Sequence, residues 1–305
     1  MFVNVIRSQS EDAKAIYQIW KEIFAFDDFG FTDYYFKHHF NPFRTYIIKE
    51  DQKVVSIGSF HKHVYKINHR FLEGSMIVGL ATVEEYRHKG YMRAILETML
   101  DHLASQELIT FIQAYNPELY KPFGFEMVYY RKRYVLCRQD IKSIDLKGVT
   151  TAIHYEDMLK IYAKFAKRFH GFMIRDYQYF KQLELQCKAT NSQIVCVYEK
   201  GLIKGYGILQ QFEQHVLIEE LIYLDLKTLY KILSLALKVK LKVELIVSKQ
   251  EQLDRVFNME GEIFGYTMAR IHDYEMFNQL FNCQVSSVKE AFALADRPLF
   301  LRENI

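Results

Sequence analysis

The residues best suited to chemistry lie within 78–96, VGLATVEEYRHKGYMRAIL. An apolar, β-branched run ends there, a short loop carries Arg87, His88, Lys89 and Gly90, and an apolar-periodic helix begins. A strand that feeds a helix through such a loop aims several backbone N–H groups at one spot, and the helix N-terminus adds partial positive charge. Gly90 lets the backbone approach a bulky anion, and the basic side chains add direct contacts. The pattern predicts a cradle for a pyrophosphate. It is not a P-loop, because GxxxxGK[ST] is missing, and it lacks the three glycines of a dinucleotide-binding fingerprint.

The elements that must hold this loop follow from hydrophobic periodicity. Residues 8–26 read as a helix, with Ser8 and Glu11 in capping-box spacing or Ser10 as N-cap, and Ile16, Ile19, Trp20 and Ile23 recurring at helical spacing. A short helix is expected over 32–40, then strands over 45–50, 53–67 and 76–83, a helix over 93–105, and a strand over 108–115. Prolines flank a turn in NPELYKPFGFE before another strand. After a linker near 138–150 the order recurs more weakly, through a helix at 157–169, a hairpin at 193–209, a strand at 216–224, a helix at 227–239 and strands at 241–247 and 263–271. The second copy has no basic glycine loop, since DLKTLYK follows Leu224. The expected fold class is α/β (α+β), two mixed sheets in tandem flanked by helices. The expected domains are 1–140 and 141–282, with a tail over 283–305.

The 305 residues include 24 Phe and 22 Tyr, enough large apolar area for substantial cores, and carry a formal net charge of +3. Neither half is a polybasic arm, so no nucleic-acid partner is expected. Cys137, Cys187, Cys196 and Cys283 show neither CxxC nor metal spacing and read as reduced thiols. Arg7, Glu11 and Asp12 interrupt any N-terminal apolar run, and no stretch of about 18 apolar residues exists. A cytoplasmic location without a membrane partner is expected.

ATVEEYRHKGYMRAILETML resembles the acetyl-CoA-binding motif of GNAT-family acyltransferases, (Arg/Gln)-x-x-Gly-x-(Gly/Ala), matched as Arg87-x-x-Gly90-x-Met92. Met92 departs from the usual small residue. GYMRAIL resembles the Eis branch of that family, as do the hairpin HVYKINHRFLEGSMIVGLATV, the turn NPELYKPFGFE and the stretch FGYTMARIHDYEMFNQLF, so that the resemblance covers roughly 1–282. The C-terminal sterol-carrier-like domain of Eis proteins is expected to be absent. The resemblance implies acetyl-CoA as co-substrate, without a metal, and a small-molecule or peptide amine as acceptor; a homo-oligomer is compatible with it. It implies that Leu80, Ala81 and Thr82 face the pantetheine arm, that amides from His88 through Tyr91 to Met92 hold the pyrophosphate beside Arg87, and that Asn116 lies near the arm. Tyr120 would protonate the leaving thiolate, and the terminal carboxylate of Ile305, helped by Glu303 and anchored by Leu299, Phe300 and Leu301, would act as base. The alternative is a non-catalytic acyl-CoA-binding module.

Asp27, Asp28 and Asp33 lie in the segment over which family substrates pass and would attract a cationic amine. His61 and His63 share one face of a strand but lack a third ligand for a metal. RKR at 131–133 is expected to be a solvated edge, and His38 and His39 surface residues.

Overall fold

The structure, a computed structural model, describes residues 3–24, 28–295 and 297–302. In chain order the elements are β1 (Val5–Arg7), α1 (Ala13–Ile23), α2 (Phe31–His38), β2 (Thr45–Glu50), β3 (Lys53–Ile67), β4 (Arg70–Thr82), α3 (Tyr91–Ala104), β5 (Ile109–Ile112) and β6 (Glu126–Leu136). There follow β7 (Val149–Thr150), α4 (Tyr155–Ala166), β8 (Gly171–Met173), α5 (Tyr177–Ala189), β9 (Ser192–Glu199), β10 (Leu202–Gln211), β11 (His215–Tyr223), α6 (Leu226–Val239) and β12 (Lys242–Ser248). The chain ends with α7 (Asp254–Phe257), β13 (Glu262–Ile271), α8 (Tyr274–Phe281), α9 (Val288–Ala293) and β14 (Leu299–Phe300). No described helix is long and apolar enough to cross a membrane.

Two compact units emerge. Of the described residues, the first takes 3–129, 266–295 and 301–302, and the second takes 130–265 and 297–300. This differs from a division at 140 and 282. The late segment belongs with the first unit because Met268–Ile271 of β13 pair antiparallel with Ile109–Ile112 of β5 and His272 N–H donates to the Leu108 carbonyl. In the tail, Leu299 and Phe300 pair with Gly171 and Phe172 inside the second unit, while the Leu301 carbonyl accepts from Thr267 Oγ1 at 2.5 Å inside the first.

In the first unit, β1, β2, β3 and β4 are antiparallel neighbours, and β4 runs parallel to β5. α3 covers one face through Ile95, Leu96, Met99, Leu100 and Leu103, all buried against Phe60, Ile77 and Ile112. On a separate apolar cluster, Ile16, Ile19 and Trp20 of α1 and Tyr35 of α2 pack on Ile47, Ile57 and Ala81. The helix over 8–26 begins later than expected. Its capping box is closed by Gln9, whose N–H donates to Asp12 Oδ2 at 2.8 Å, while the buried Ser8 hydroxyl donates instead to the Pro42 carbonyl.

β4 contains a bulge. Ser59 faces Val78 and Ile57 faces Ala81, so Gly79 and Leu80 together stand opposite Gly58. Gly79 has φ +59°, and a Cβ there would lie 2.2 Å from Cζ2 of Trp20.

The second unit pairs β6 with β12 antiparallel, β12 with β11 parallel, and β11, β10, β9 and β7 in antiparallel succession. RKR is not a solvated edge. Arg131 is 1% exposed on β6, and each of the three cations meets a carboxylate: Arg131 with Glu219, Lys132 with Asp254, Arg133 with Glu244. Pairing with β12 buries the strand, and the carboxylates offset the desolvation of its charges.

Replacing Gly79 by Ala combines a left-handed backbone angle with a clash against a packed indole. Denaturant unfolding of Gly79→Ala should show a loss of about 2–4 kcal/mol.

Candidate active site

Two parallel strands diverge at the site. β4 and β5 pair from Gly74↔Ile109 to Ile77↔Ile112, and no further pairing joins them among the described residues. β4 continues to Thr82, held on its other edge by β3 through Ile57↔Ala81 and Ser56↔Thr82. Backbone groups of successive strand residues point to opposite edges. Val83 N–H donates to the Val55 carbonyl and the Ala81 carbonyl accepts from Ser56 Oγ at 3.0 Å, so residues 81 and 83 face β3. The N–H and C=O groups of Leu80 and Thr82 therefore face the open edge, where an extended ligand can pair as an added strand.

The end of β4 is pinned. Ser56 gives its single proton to Ala81, so the Thr82 hydroxyl must donate in the 2.8 Å contact between Ser56 Oγ and Thr82 Oγ1. Arg87 Nε donates to the Thr82 carbonyl at 3.3 Å, which ties the loop to the strand it follows.

Arg87, His88, Lys89 and Gly90 are exposed. Gly90 is the N-cap of α3 at φ +83°, no side chain caps the helix, and a Cβ there would meet nothing within 4 Å. Ala94 N–H is the first amide of the helix to reach a helical carbonyl, that of Gly90, which leaves the amides of Tyr91, Met92 and Arg93 for an outside acceptor. The Tyr91 ring is buried and its hydroxyl donates to Glu50 Oε1 at 2.5 Å, so Tyr91 has only its backbone to offer the cradle. Met92 is half-buried against the apolar cluster under α3, and Lys89 Nζ lies 4.7 Å from the Tyr86 ring centroid.

The second unit repeats the divergence without the cradle. β11 and β12 pair from His215↔Lys242 to Ile218↔Leu245, and β11 runs on to Tyr223 through a bulge at Glu219. There Arg131 donates to Glu219 Oε1 at 2.8 Å and to the Glu219 carbonyl at 2.9 Å. α6 is capped by Asp225, whose carboxylate accepts from Thr228 N–H at 2.8 Å. That negative charge at the helix start repels an anion.

Tyr120 follows a tight turn, its N–H donating to the Pro117 carbonyl at 3.0 Å. Its half-buried ring meets Phe125 edge-on at 6.3 Å and packs on the same apolar cluster as Leu80 and Met92. The hydroxyl makes no hydrogen bond to any described residue, and burial raises its pKa, so the phenol stays protonated. Arg93, in the first turn of α3, stacks on Phe123 at 4.9 Å and ties this turn to the cradle. Asn116 is exposed, with Oδ1 accepting from Glu118 N–H at 3.2 Å and its amide nitrogen left to donate to a ligand.

Residues 4–128 match the family model of the acetyltransferase (GNAT) domain. Over this stretch the chain is similar to a GNAT acetyltransferase domain. Among solved structures, the chain is similar to a conserved protein of Enterococcus faecalis V583 described as a probable N-acyltransferase, with 18% identity over 91% of this chain and 74% of that one and a TM-score of 0.74. It is similar to Eis1 of Mycobacterium abscessus, with 15% identity over 91% and 75% and a TM-score of 0.66. A third likeness is N-myristoyltransferase of Saccharomyces cerevisiae with bound myristoyl-CoA, with 11% identity over 88% and 82% and a TM-score of 0.61. No curated protein matches the chain. The fold is a tandem of GNAT-like mixed sheets flanked by helices.

The remaining candidates of the first unit are largely engaged. Asp28 uses both oxygens on the start of α2, Oδ1 accepting from Gly30 N–H at 2.8 Å and Oδ2 from Thr32 N–H at 3.0 Å. Burial works against its ionisation, but the hydrogen bonds from Thr32 and Gly30 outweigh it and hold the pKa below the ordinary value. Asp33 accepts from the Tyr17 hydroxyl at 2.6 Å and pairs with Lys21 at 3.2 Å. Asp27, Glu303 and Ile305 lie outside the described residues. His61 is buried with Nε2 3.0 Å from the Tyr35 hydroxyl, and no group of three or more candidate metal ligands forms among the described residues. His38 is exposed, whereas His39 is half-buried beside the Tyr34 hydroxyl.

Sequence reasoning missed the structural roles of Gly79 and Ser56. A lone glycine inside the β-branched run MIVGLATV was the available signal for a bulge. Nothing marked Ser56, whose role depends on strand register.

Burial pulls the pKa of His61 down to about 3 and that of His63 to about 4, each helped by neighbouring His39 and Arg44. Unfolded histidines bind protons near pH 6.5, and these two do not while folded. Stability is therefore full above pH 6.5 and falls as pH drops from 6.5 towards 4. His39 and His272, also lowered by burial, act in the same direction. Thermal unfolding across this window should show a falling Tm, with a shallower slope in His63→Gln.

Proposed function

We propose that the protein transfers the acetyl group of acetyl-CoA to a primary amine. The reading rests on the open edge of β4, which leads from Leu80 and Thr82 into an uncapped, glycine-started helix. The pantetheine arm would pair with Leu80 and Thr82, and the pyrophosphate would take the amides of Tyr91, Met92 and Arg93 beside Arg87, His88 and Lys89. The amide nitrogen of Asn116 would reach the arm. N-myristoyltransferase, which shares the fold, holds its acyl donor as an acyl-CoA.

An aliphatic ammonium has a pKa near ~10.4 and must lose its proton before it attacks. The amine nitrogen then bonds to the thioester carbon, and the oxyanion meets a slot-facing N–H of Leu80 or Thr82. The nitrogen gives up its surplus proton to water, the C–S bond breaks as Tyr120 gives its proton to the sulfur, and the phenol is reprotonated from the same water. A neutral donor is what this step needs, and desolvation moves the Tyr120 pKa further above the ordinary phenol value. With Asp28 and Asp33 engaged, the carboxylate of Ile305, helped by Glu303, is the proposed base.

Gly90→Asp places bulk and negative charge where the anion must sit, and calorimetry with CoA should show no binding. The parent should bind one equivalent per chain, because Asp225 and Arg131 occupy the corresponding places in the second unit. Tyr120→Phe should keep its affinity for acetyl-CoA and lose about 10²–10⁴-fold in turnover with an amine acceptor. A rate within a few-fold of the parent would make Tyr120 a packing residue.

A further inference from the structure

Trp20 stands at the closed end of the open edge. It is 4% exposed on α1, and its ring edge lies against the bulge: a Cβ on Gly79 would sit 2.2 Å from Cζ2, 2.7 Å from Cε2 and 2.9 Å from Nε1. The ring is fixed on several sides. It stacks on Tyr35 at 4.4 Å with 16° between planes, and meets Phe24 and Phe36 edge-on at 5.1 and 5.8 Å. Tyr35 is in turn held through its hydroxyl by His61 Nε2 at 3.0 Å. The buried indole N–H has no hydrogen-bond partner among the described residues, which costs stability, so shape and not hydrogen bonding holds the ring at this position.

The direction of the arm follows from the proposed acetyl-CoA reading, on which this inference rests. A ligand anchored at residues 87–92 and paired with Thr82 and Leu80 carries its acyl group past Leu80 towards the bulge. Ahead, β4 and β5 close at Ile77 and Ile112. On the α3 side, Ile77, Ile112, Phe123 and Phe125 are packed into a buried cluster. The other exit, past Gly79, is where the indole stands.

We infer that Trp20 is the specificity residue that limits acyl length, closing the acyl end of the slot to chains much longer than acetyl. Gly79 and Trp20 form one device, in which the missing side chain admits the ring and the ring excludes a long acyl chain. Interiors are close-packed, so a chain several methylenes longer has no room unless the ring moves.

The test is calorimetric binding of acetyl-, butyryl- and hexanoyl-CoA to the full chain, which needs no acceptor. The parent should bind hexanoyl-CoA at least tenfold more weakly than acetyl-CoA. Trp20→Ala should erase or invert that ratio, and Trp20→Phe, which keeps most of the bulk, should fall between. The ratio within one preparation is independent of the fraction folded, so a destabilised variant still reports. Equal binding of acetyl- and hexanoyl-CoA by the parent, or an unchanged ratio in Trp20→Ala, overturns the assignment. Failure of every acyl-CoA to bind the parent overturns the acetyl-CoA reading instead.

Discussion

The site depends on one strand that keeps a partner on one edge and loses it on the other. Unpaired backbone groups at a strand edge are costly when buried and invite another chain when exposed. Here the loss is local. β3 holds β4 continuously apart from the bulge, so the residues beyond Ile77 stay in the sheet although β5 has gone. The bulge at Gly79 lets the strand bend away. Ser56 and Arg87 then fix the direction in which the freed backbone groups point. The proposed cradle lies at the end of this edge, and the Tyr120 phenol shares the apolar cluster on which Leu80 packs.

The second unit shows how little backbone separates a slot from a scaffold. Its parallel strands part in the same way, and a bulge again follows the last pair. The difference lies in charge. Arg131 satisfies the bulge carbonyl that a ligand would otherwise meet, and Asp225 supplies a carboxylate where α3 has a bare glycine. Both are ordinary stabilising interactions: a buried guanidinium with its partners and an N-cap. The first unit forgoes the N-cap, and an uncapped helix start is the general form of an anion site.

The sequence made the strand–loop–helix legible because three independent signals coincide there: a β-branched run, a breaker and a helical period. The order of elements from α1 to β6 followed from the same periodicities, whereas β1, α5, α8 and α9 did not. Register did not. Gly79 looked like one small residue in a strand, and its bulge becomes visible only once Ser59 is opposite Val78 and Ile57 opposite Ala81. RKR read as a solvated edge because its carboxylate partners, Glu219, Asp254 and Glu244, are far away in sequence. Asp28 read as a free anion because a side chain's oxygens can be claimed by the amides of its own turn, and composition does not report that.

Burial does opposite work on the two sides of the proposed reaction. For Tyr120 it holds the proton on, which suits an acid that must wait for a thiolate. For His61 and His63 it keeps the proton off down to low pH, so these imidazoles can fill an interior next to aromatic rings without bringing charge into it. A histidine with so low a pKa is a poor base towards an ammonium near ~10.4, since the proton would have to climb a large free-energy gap. The described carboxylates nearest in sequence to α2 are stabilised as anions by the hydrogen bonds they accept, and this too lowers their basicity. Asp28 and Asp33 are already satisfied by their own fold, so neither is suited to take the proton of an acceptor ammonium.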